Sequence, residues 1–371
     1  MLSTLSIHLP RIKNKKQRHC MFYLLTVKEI RRETPESVSV FLEVPSVSKA
    51  FFDFKPGQYL TFRHMLNGQE LRRSYSLSSI PGESLLRVGI REVANGAFSV
   101  WANRMLKKGD VLETMVPLGN FTTDFDAARS RTLVFAAAGS GITPILSLIK
   151  SVRRHEPNTR IVLLYGNRTP DTAMYGAEIA ALAAEADDKM VVKYFYSRHA
   201  GGDFPQQRLS GTSCGAVAAE ISDLYRADAY FICGPEAMIF SVRDHLLAQG
   251  VDGAKIKFEL FTTPPANAKN PTDTGNDINA EVTVVLDDEE FHFPLNGNGD
   301  SILDAAIAAG ADAPFSCKGA VCCTCKAKVV EGSVAMDMNY ALDDREVEEG
   351  YILTCQSHPT SARVVIDYDV I

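Results

Sequence analysis

The sequence predicts a multidomain chain: an antiparallel β-barrel, then an α/β unit with a parallel sheet, then a smaller cysteine-bearing domain. Three observations predict it. Short strand-like runs separated by turn residues fill positions 22–128, the pattern of an antiparallel barrel. From Arg131 onward, strand-like runs alternate with Ala/Leu-rich helical segments, which means βαβ units. Five of the 8 cysteines fall in the last 55 residues. At 371 residues the chain is also too long for one core.

Residues 1–20 form a basic arm (Arg11, Lys13, Lys15, Lys16, Arg18) without an acidic residue. It lacks the apolar core of a secretory signal and reads as a disordered extension. The barrel domain is placed at 21–128, with strands Phe22–Val27, Ser37–Val44, Gln58–His64, Ser74–Leu77, Leu85–Arg91 and Val111–Pro117, and a helix near Ser99–Lys107. The α/β domain is placed at 129–262. Its strands are Thr132–Ala138, Arg160–Tyr165, Met190–Tyr196, Ala229–Cys233 and Lys255–Phe261. Residues 263–279, rich in Pro, Asn, Thr, Asp and Gly, read as a linker. The last domain is placed at 280–371. It opens with a hairpin around Asp287–Glu290, followed by a helix Ile302–Ala309 capped by Ser301 and Asp304 and closed by Gly310.

No apolar run approaches the ~20 residues of a membrane span. Neither a membrane nor a nucleic acid is expected as a partner. The cysteine usage is not that of a secreted disulfide scaffold and points to metal in a reducing cytoplasm. Residues 280–371 hold 17 acidic and 5 basic side chains, a net −12; the whole chain is −6, which leaves +6 on residues 1–279. Such asymmetry suits an acidic module guided onto a basic one. The acidic helix Asp343–Glu349 reads first as a solvated face.

Cys317, Cys322 and Cys325 stand in a C-x4-C-x2-C run, and Cys355 follows 30 residues later. This is the plant-type spacing for a [2Fe–2S] cluster. Gly319 and Ala320 keep the loop narrow. A four-cysteine zinc site is the alternative, but zinc ribbons favour two C-x2-C knuckles, and one is present. Cys323 reads as a buried bystander thiol. The hairpin, helix, cluster loop and final strand Tyr351–Cys355 together resemble the β-grasp fold of plant-type ferredoxins.

Upstream, Arg73-Ser74-Tyr75-Ser76 lies on a barrel strand with Arg73 and Tyr75 on one face. An Arg can hold a pyrophosphate, a Tyr can stack on a flavin, and a Ser can bond to its edge. Gly96-Ala97-Phe98-Ser99 precedes a helix whose free N–H groups can bind phosphate. Gly139-Ser140-Gly141-Ile142-Thr143-Pro144 follows a strand and opens a helix, the phosphate-cradle position of a dinucleotide fold. Cys233-Gly234-Pro235 ends another strand on the same edge.

In this order the motifs resemble the ferredoxin–NADP reductase superfamily fused to a ferredoxin, over about residues 21–371. The resemblance implies FAD held by Arg73, Tyr75 and Ser76, with its pyrophosphate on Gly96, Ala97, Phe98 and Ser99. It places Thr143 near the flavin N5 and Cys233 and Gly234 at the nicotinamide, with Gly139 and Gly141 in the nucleotide cradle. Glu259-Leu260-Phe261 matches the family's E-x-F end, whose aromatic residue covers the isoalloxazine. Thr143, Cys233 and Glu259 are the catalytic candidates. Ser197-Arg198 corresponds to the family's 2′-phosphate pair, with Arg168 a second cation, so NADPH is expected over NADH. The segments Cys317–Cys325, Met336–Leu342, Gly350–Gln356 and Leu163–Thr169 resemble the reductase subunits of phenylacetyl-CoA epoxidases. That implies di-iron oxygenase subunits as partners in phenylacetate breakdown. The arm at 1–20 departs from that family. Other acceptors remain open: another di-iron or Rieske oxygenase, or a hybrid-cluster protein. A non-catalytic redox sensor or carrier is a further reading, against which the nicotinamide motifs argue.

Overall fold

The structure is a computed structural model and describes residues 22–200, 203, 205–261 and 278–370. The basic arm at 1–20 and linker residues 263–277 lie outside the described residues.

Six antiparallel strands build the first sheet: β1 (Tyr23–Thr34), β2 (Ser37–Glu43), β3 (Tyr59–Leu66), β4 (Gln69–Ser76), β5 (Leu86–Arg91) and β6 (Val111–Thr114). Their order is β4-β3-β6-β1-β2-β5. Alternation turns Leu25, Val27, Val38, Val40, Leu60 and Phe62 inward. A bridge between Leu77, just past β4, and Val88 of β5 joins the two edges and closes the barrel. Helix α1 (Ala97–Arg104) adds Phe98 and Ala102 to its core.

The second sheet is parallel: β7 (Thr132–Ala138), β8 (Arg160–Asn167), β9 (Met190–Tyr196), β10 (Ala229–Gly234) and β11 (Ile256–Leu260), in the order β11-β10-β7-β8-β9. Helices α2 (Ile142–His155) and α3 (Gly176–Glu185) cover one face, and α4 (Gly211–Glu220) and α5 (Glu236–Ala248) cover the other. Both faces being buried explains the near-continuous apolar runs of these strands. The strand order reverses between β7 and β10, so their carboxyl ends form the crevice where such folds bind ligands. No helix among the described residues is long and apolar enough to cross a membrane.

The third sheet comprises β12 (Asn279–Leu286), β13 (Glu289–Asn296), β14 (Lys326–Glu331), β16 (Tyr351–Leu353) and β18 (Arg363–Asp367), in the order β13-β12-β18-β14-β16. A ribbon of β15 (Val334–Met336) and β17 (Ser357–Pro359) lies beside it, with helices α6 (Ile302–Ala308) and α7 (Asp344–Glu348). The hairpin turn is Asp287–Asp288, narrower than the expected Asp287–Glu290. Both residues have positive φ, +55° and +63°, as a two-residue type I′ turn requires. Their amides donate to the Asp369 carboxylate at 2.9 Å each, which offsets the left-handed strain. Ser301 caps α6 by accepting from the Asp304 amide at 3.2 Å, and Gly310 leaves the helix at φ +98°.

Candidate functional site

The cysteine loop runs from α6 to β14. Its tight path comes from two left-handed residues, Lys318 (φ +50°) and Ala320 (φ +63°), so Gly319 is not the special position. The Gly319 amide instead donates to Cys317 Sγ at 3.3 Å. Four sulfurs gather as two pairs. Cys317 and Cys322 lie 3.0 Å apart, and Cys325 shares a hydrogen bond with Cys355. The Cys317 bond draws Cys322 down to about 6, and the Cys325 bond likewise lowers Cys355. The same bonds raise Cys317 and Cys325, so each pair shares one proton and offers one thiolate, the donor chemistry of an iron–sulfur centre. Among the described residues, no three Cys, His, Asp or Glu side chains converge on one ion. Two pairs fit a two-iron cluster better than a single four-thiolate zinc.

Two expectations about this loop need correcting. The strand before Cys355 ends at Leu353, and Cys355 sits in a 3-10 turn, Thr354–Gln356. The Thr354 hydroxyl donates to the Cys325 carbonyl at 3.0 Å, which folds that turn onto the loop. Cys323, expected as a buried bystander, is half-buried, and its sulfur is 3.4 Å from the Tyr59 hydroxyl of the barrel.

A cleft of about 240 Å³ opens beside the loop, lined by Arg73, Ser76, Glu259, Phe261, Cys317 and Cys322 among others. Ser76 Oγ donates to Glu259 Oε2 at 3.3 Å. Burial raises the Glu259 carboxyl to about 8, and the Ser76 bond opposes that in part. Phe261 follows β11, which ends at Leu260, and stands 42% exposed at the rim. Tyr75 does not reach this cleft. It packs 5.6 Å from Phe98 and 6.1 Å from Phe62, and burial pushes its phenol up. That contact sets the Arg73–Ser76 strand against α1.

Helix α1 begins at Ala97, so Ala97, Phe98 and Ser99 form its first turn and Gly96 caps it. Ser99 Oγ is engaged, accepting from the Val93 amide at 3.1 Å and donating to the Gly96 carbonyl at 3.3 Å. Phosphate capacity here rests on the first-turn amides, which have no intrahelical partner.

At the crevice, Gly139 has φ +56°, and Gly141 is pressed against β10: a Cβ there would lie 2.1 Å from the Cys233 carbonyl oxygen. Gly234 is equally confined, 2.4 Å from Met238 Cε on the same measure. Cys233 is fully buried beside Glu259 in the β10–β11 register, and burial raises its thiol. Thr143 is buried, and its hydroxyl donates to the Ser140 carbonyl at 2.9 Å. It does not line the cleft with Ser76 and Glu259; its methyl group faces Gly89 of the barrel.

Beyond β8 and β9, the amides of Ser197 and Arg198 donate to the carbonyls of Asn167 and Arg168 at 2.9 and 2.8 Å. Arg198 is exposed and makes no ion pair among the described residues. Arg168, the expected second cation, is taken instead: it binds Glu36, which also accepts from Arg91 at 3.3 Å. Burial raises the Glu36 carboxyl, but the two guanidinium bonds outweigh it and hold the group low. Glu36 and Arg91 carry no local motif, and the sequence offered no signal for this cluster.

The cysteine domain meets the barrel through neutral hydroxyls more than charge. Ser74 and Ser316 share a 2.8 Å hydrogen bond, and Tyr59 and Thr324 a 3.1 Å one. Arg72–Asp312, at 3.5 Å, is the ion pair that crosses this seam among the described residues. Arg72 also stacks 4.1 Å over Phe315. The expected acidic steering thus reduces to one pair in the assembled form. Nor is the acidic helix wholly solvated: Glu346 accepts from Asn120 of the barrel at 2.9 and 3.1 Å.

A barrel with an anion-ready helix end, a dinucleotide crevice and a paired-thiol loop define an NAD(P)H-dependent oxidoreductase that uses FAD and a [2Fe–2S] cluster. Residues 25–123 match the oxidoreductase FAD-binding domain, 135–244 the oxidoreductase NAD-binding domain, and 284–360 the 2Fe-2S iron-sulfur cluster binding domain. The chain is 37% identical over 351 residues to a component of the 1,2-phenylacetyl-CoA epoxidase of Escherichia coli (strain K12), covering 94% of this chain and 98% of that one. It is 32% identical over 357 residues to the 3-ketosteroid-9-alpha-monooxygenase ferredoxin reductase component of Mycobacterium tuberculosis, covering 93% and 95%. The fold matches phthalate dioxygenase reductase with a TM-score of 0.57 at 23% identity, over 93% of this chain and 98% of that one. The chain belongs to the ferredoxin–NADP reductase superfamily, in the branch with a C-terminal [2Fe–2S] ferredoxin domain that serves as reductase component of multicomponent oxygenases.

Proposed function

We propose that this protein carries electrons from NADPH to the di-iron oxygenase subunits of a phenylacetyl-CoA epoxidase complex in the cytoplasm. One observation carries the relay: the flavin-side residues Arg73, Ser76, Glu259 and Phe261 share a single cleft with Cys317 and Cys322. Bound between these elements, FAD would supply two-electron hydride acceptance and single-electron release, and a cluster on the cysteines would supply one-electron relay.

The chain's own part is positioning. Arg73 and the first-turn amides of Ala97, Phe98 and Ser99, capped by Gly96, hold the FAD pyrophosphate, with Ser76 against the flavin and Tyr75 bracing their strand on Phe98. Gly139, Gly141 and Gly234 keep the crevice open for the dinucleotide, with Cys233 buried behind its end, while Thr143 faces Gly89 on the barrel side. Phe261 covers the ring. Burial keeps a proton on the Glu259 carboxyl, whose Oε2 accepts from Ser76 beside the cleft. Cys317, Cys322, Cys325 and Cys355 ligate the cluster. Ser197 and Arg198, which makes no ion pair among the described residues, read the 2′-phosphate, which supports NADPH over NADH.

The 37% identity to the epoxidase component supports that acceptor. The 32% identity to a 3-ketosteroid monooxygenase component supports a second reading, another multicomponent oxygenase. Mixing the holoprotein with purified di-iron epoxidase subunits and, separately, a Rieske oxygenase tests both. NADPH-dependent turnover of phenylacetyl-CoA with the first alone is the expected result. Turnover with the Rieske enzyme alone would overturn the epoxidase assignment and leave the relay standing.

A further inference from the structure

Tyr59 stands where the barrel meets the cysteine loop. It is 5% exposed and starts β3. Its backbone is spoken for, exchanging hydrogen bonds with Leu118 at 2.8 and 3.0 Å. Across β3–β4 it pairs with Ser76, the residue that bonds Glu259. Its ring lies against Gly119 (φ +124°), where a Cβ would come within 3.1 Å of the ring edge. The ring is thus clamped on the barrel side. Its hydroxyl crosses to Thr324 Oγ1 at 3.1 Å and Cys323 Sγ at 3.4 Å. Both partners lie between Cys322 and Cys325, one from each thiol pair.

We infer that Tyr59 is a positioning residue for the flavin-to-cluster electron step: its hydroxyl pins the 322–325 segment to the flavin cleft. The inference rests on the relay reading above. Thr324 is buried and its side chain also bonds to Cys322, so the Tyr59 contact reaches that cysteine through one intermediary. Cys322 lines the cleft, so any slip of residues 323–324 moves the nearest sulfur away from it. A misplacement of about 1 Å costs reaction rates heavily when geometry is the main contribution. The step moves one electron and forms no bond: the reduced flavin loses the electron and the oxidised cluster gains it. The Ser74–Ser316 bond holds the loop from the other side of the cleft and does not touch this segment.

The test uses the full holoprotein and two variants, Tyr59→Phe, which removes only the hydroxyl's contacts with Cys323 and Thr324, and Thr324→Val, which removes the Tyr59–Thr324 bond together with the Thr324 bond to Cys322. Anaerobic stopped-flow with NADPH separates flavin bleaching from cluster bleaching, and hydrogen exchange reports the amides of 320–325. In both variants the ratio of cluster-phase to flavin-phase rate should fall about fivefold, and protection of 320–325 should fall by a similar factor, the worth of one net hydrogen bond. A wild-type ratio in either folded, cofactor-loaded variant overturns the inference, even if exchange rises, because Tyr59 is then only structural. If the wild-type protein itself shows no cluster phase, the relay reading has failed instead.

Discussion

Gly141 and Cys233 touch through their backbones, so closely that a Cβ on Gly141 would fall 2.1 Å from the Cys233 carbonyl oxygen. The obstacle is backbone, which cannot swing aside. Gly141→Ala should therefore push apart the ends of β7 and β10 and destabilise the protein by about 1–3 kcal/mol. The Michaelis constant for the nucleotide should rise in parallel. Thermal melting and steady-state kinetics check both; an unchanged melting temperature would show that the crevice can relax.

Cys322 belongs to the thiol pair that lines the flavin cleft. Cys322→Ser should lower bound iron and acid-labile sulfide and abolish cytochrome c reduction, while NADPH still bleaches the flavin. Loss of flavin reduction as well would mean that the order of carriers is wrong.

Arg198 is exposed and makes no ion pair among the described residues, whereas Arg168 is committed to Glu36. A charge-assisted contact to the 2′-phosphate makes Arg198→Ala costly for NADPH, roughly tenfold to a hundredfold in Michaelis constant. NADH, which lacks that phosphate, should change by no more than about twofold. Equal weakening of both nucleotides would remove Arg198 from the specificity pair.

Burial raises the Glu259 carboxyl to about 8 from an ordinary 4.5. The folded protein therefore keeps a proton that the unfolded chain releases. Stability from this group is complete below about pH 4.5 and is lost as pH rises through about 8. Glu259→Gln imitates the protonated form, so its melting temperature should fall less than the wild type's between about pH 5 and pH 9. Superimposed melting profiles would assign the pH dependence elsewhere.

The legible parts of this fold share a physical cause. Thr132–Ala138 and Met190–Tyr196 are strands over the span their apolar runs indicate, because a parallel strand covered on both faces has little room for polar residues. β4 begins at Gln69, five residues before its readable part, since Gln-Glu-Leu-Arg-Arg is held by pairing with β3 and not by its own pattern. β1 runs on to Thr34 through charged residues for the same reason, paired with β2. The cysteine loop stood out because ligand spacing is local. Glu36 with Arg91, and Ser74 with Ser316, are 55 and 242 residues apart, and no local pattern encodes such meetings. Thr143 and Tyr75 were placed by motif, yet their packing turns them away from the cleft, which only the assembled sheets decide.

Cys325 and Cys355 come from separate stretches, and both belong to the apolar core of the last domain. A metal centre held by both would act as a cross-link inside that core, made from supplied inorganic material instead of a disulfide. A chain starved of iron during synthesis would lack this rivet and yield first in its last domain, where proteases would clear it. Cellular abundance of the protein would then track iron supply with no dedicated sensor.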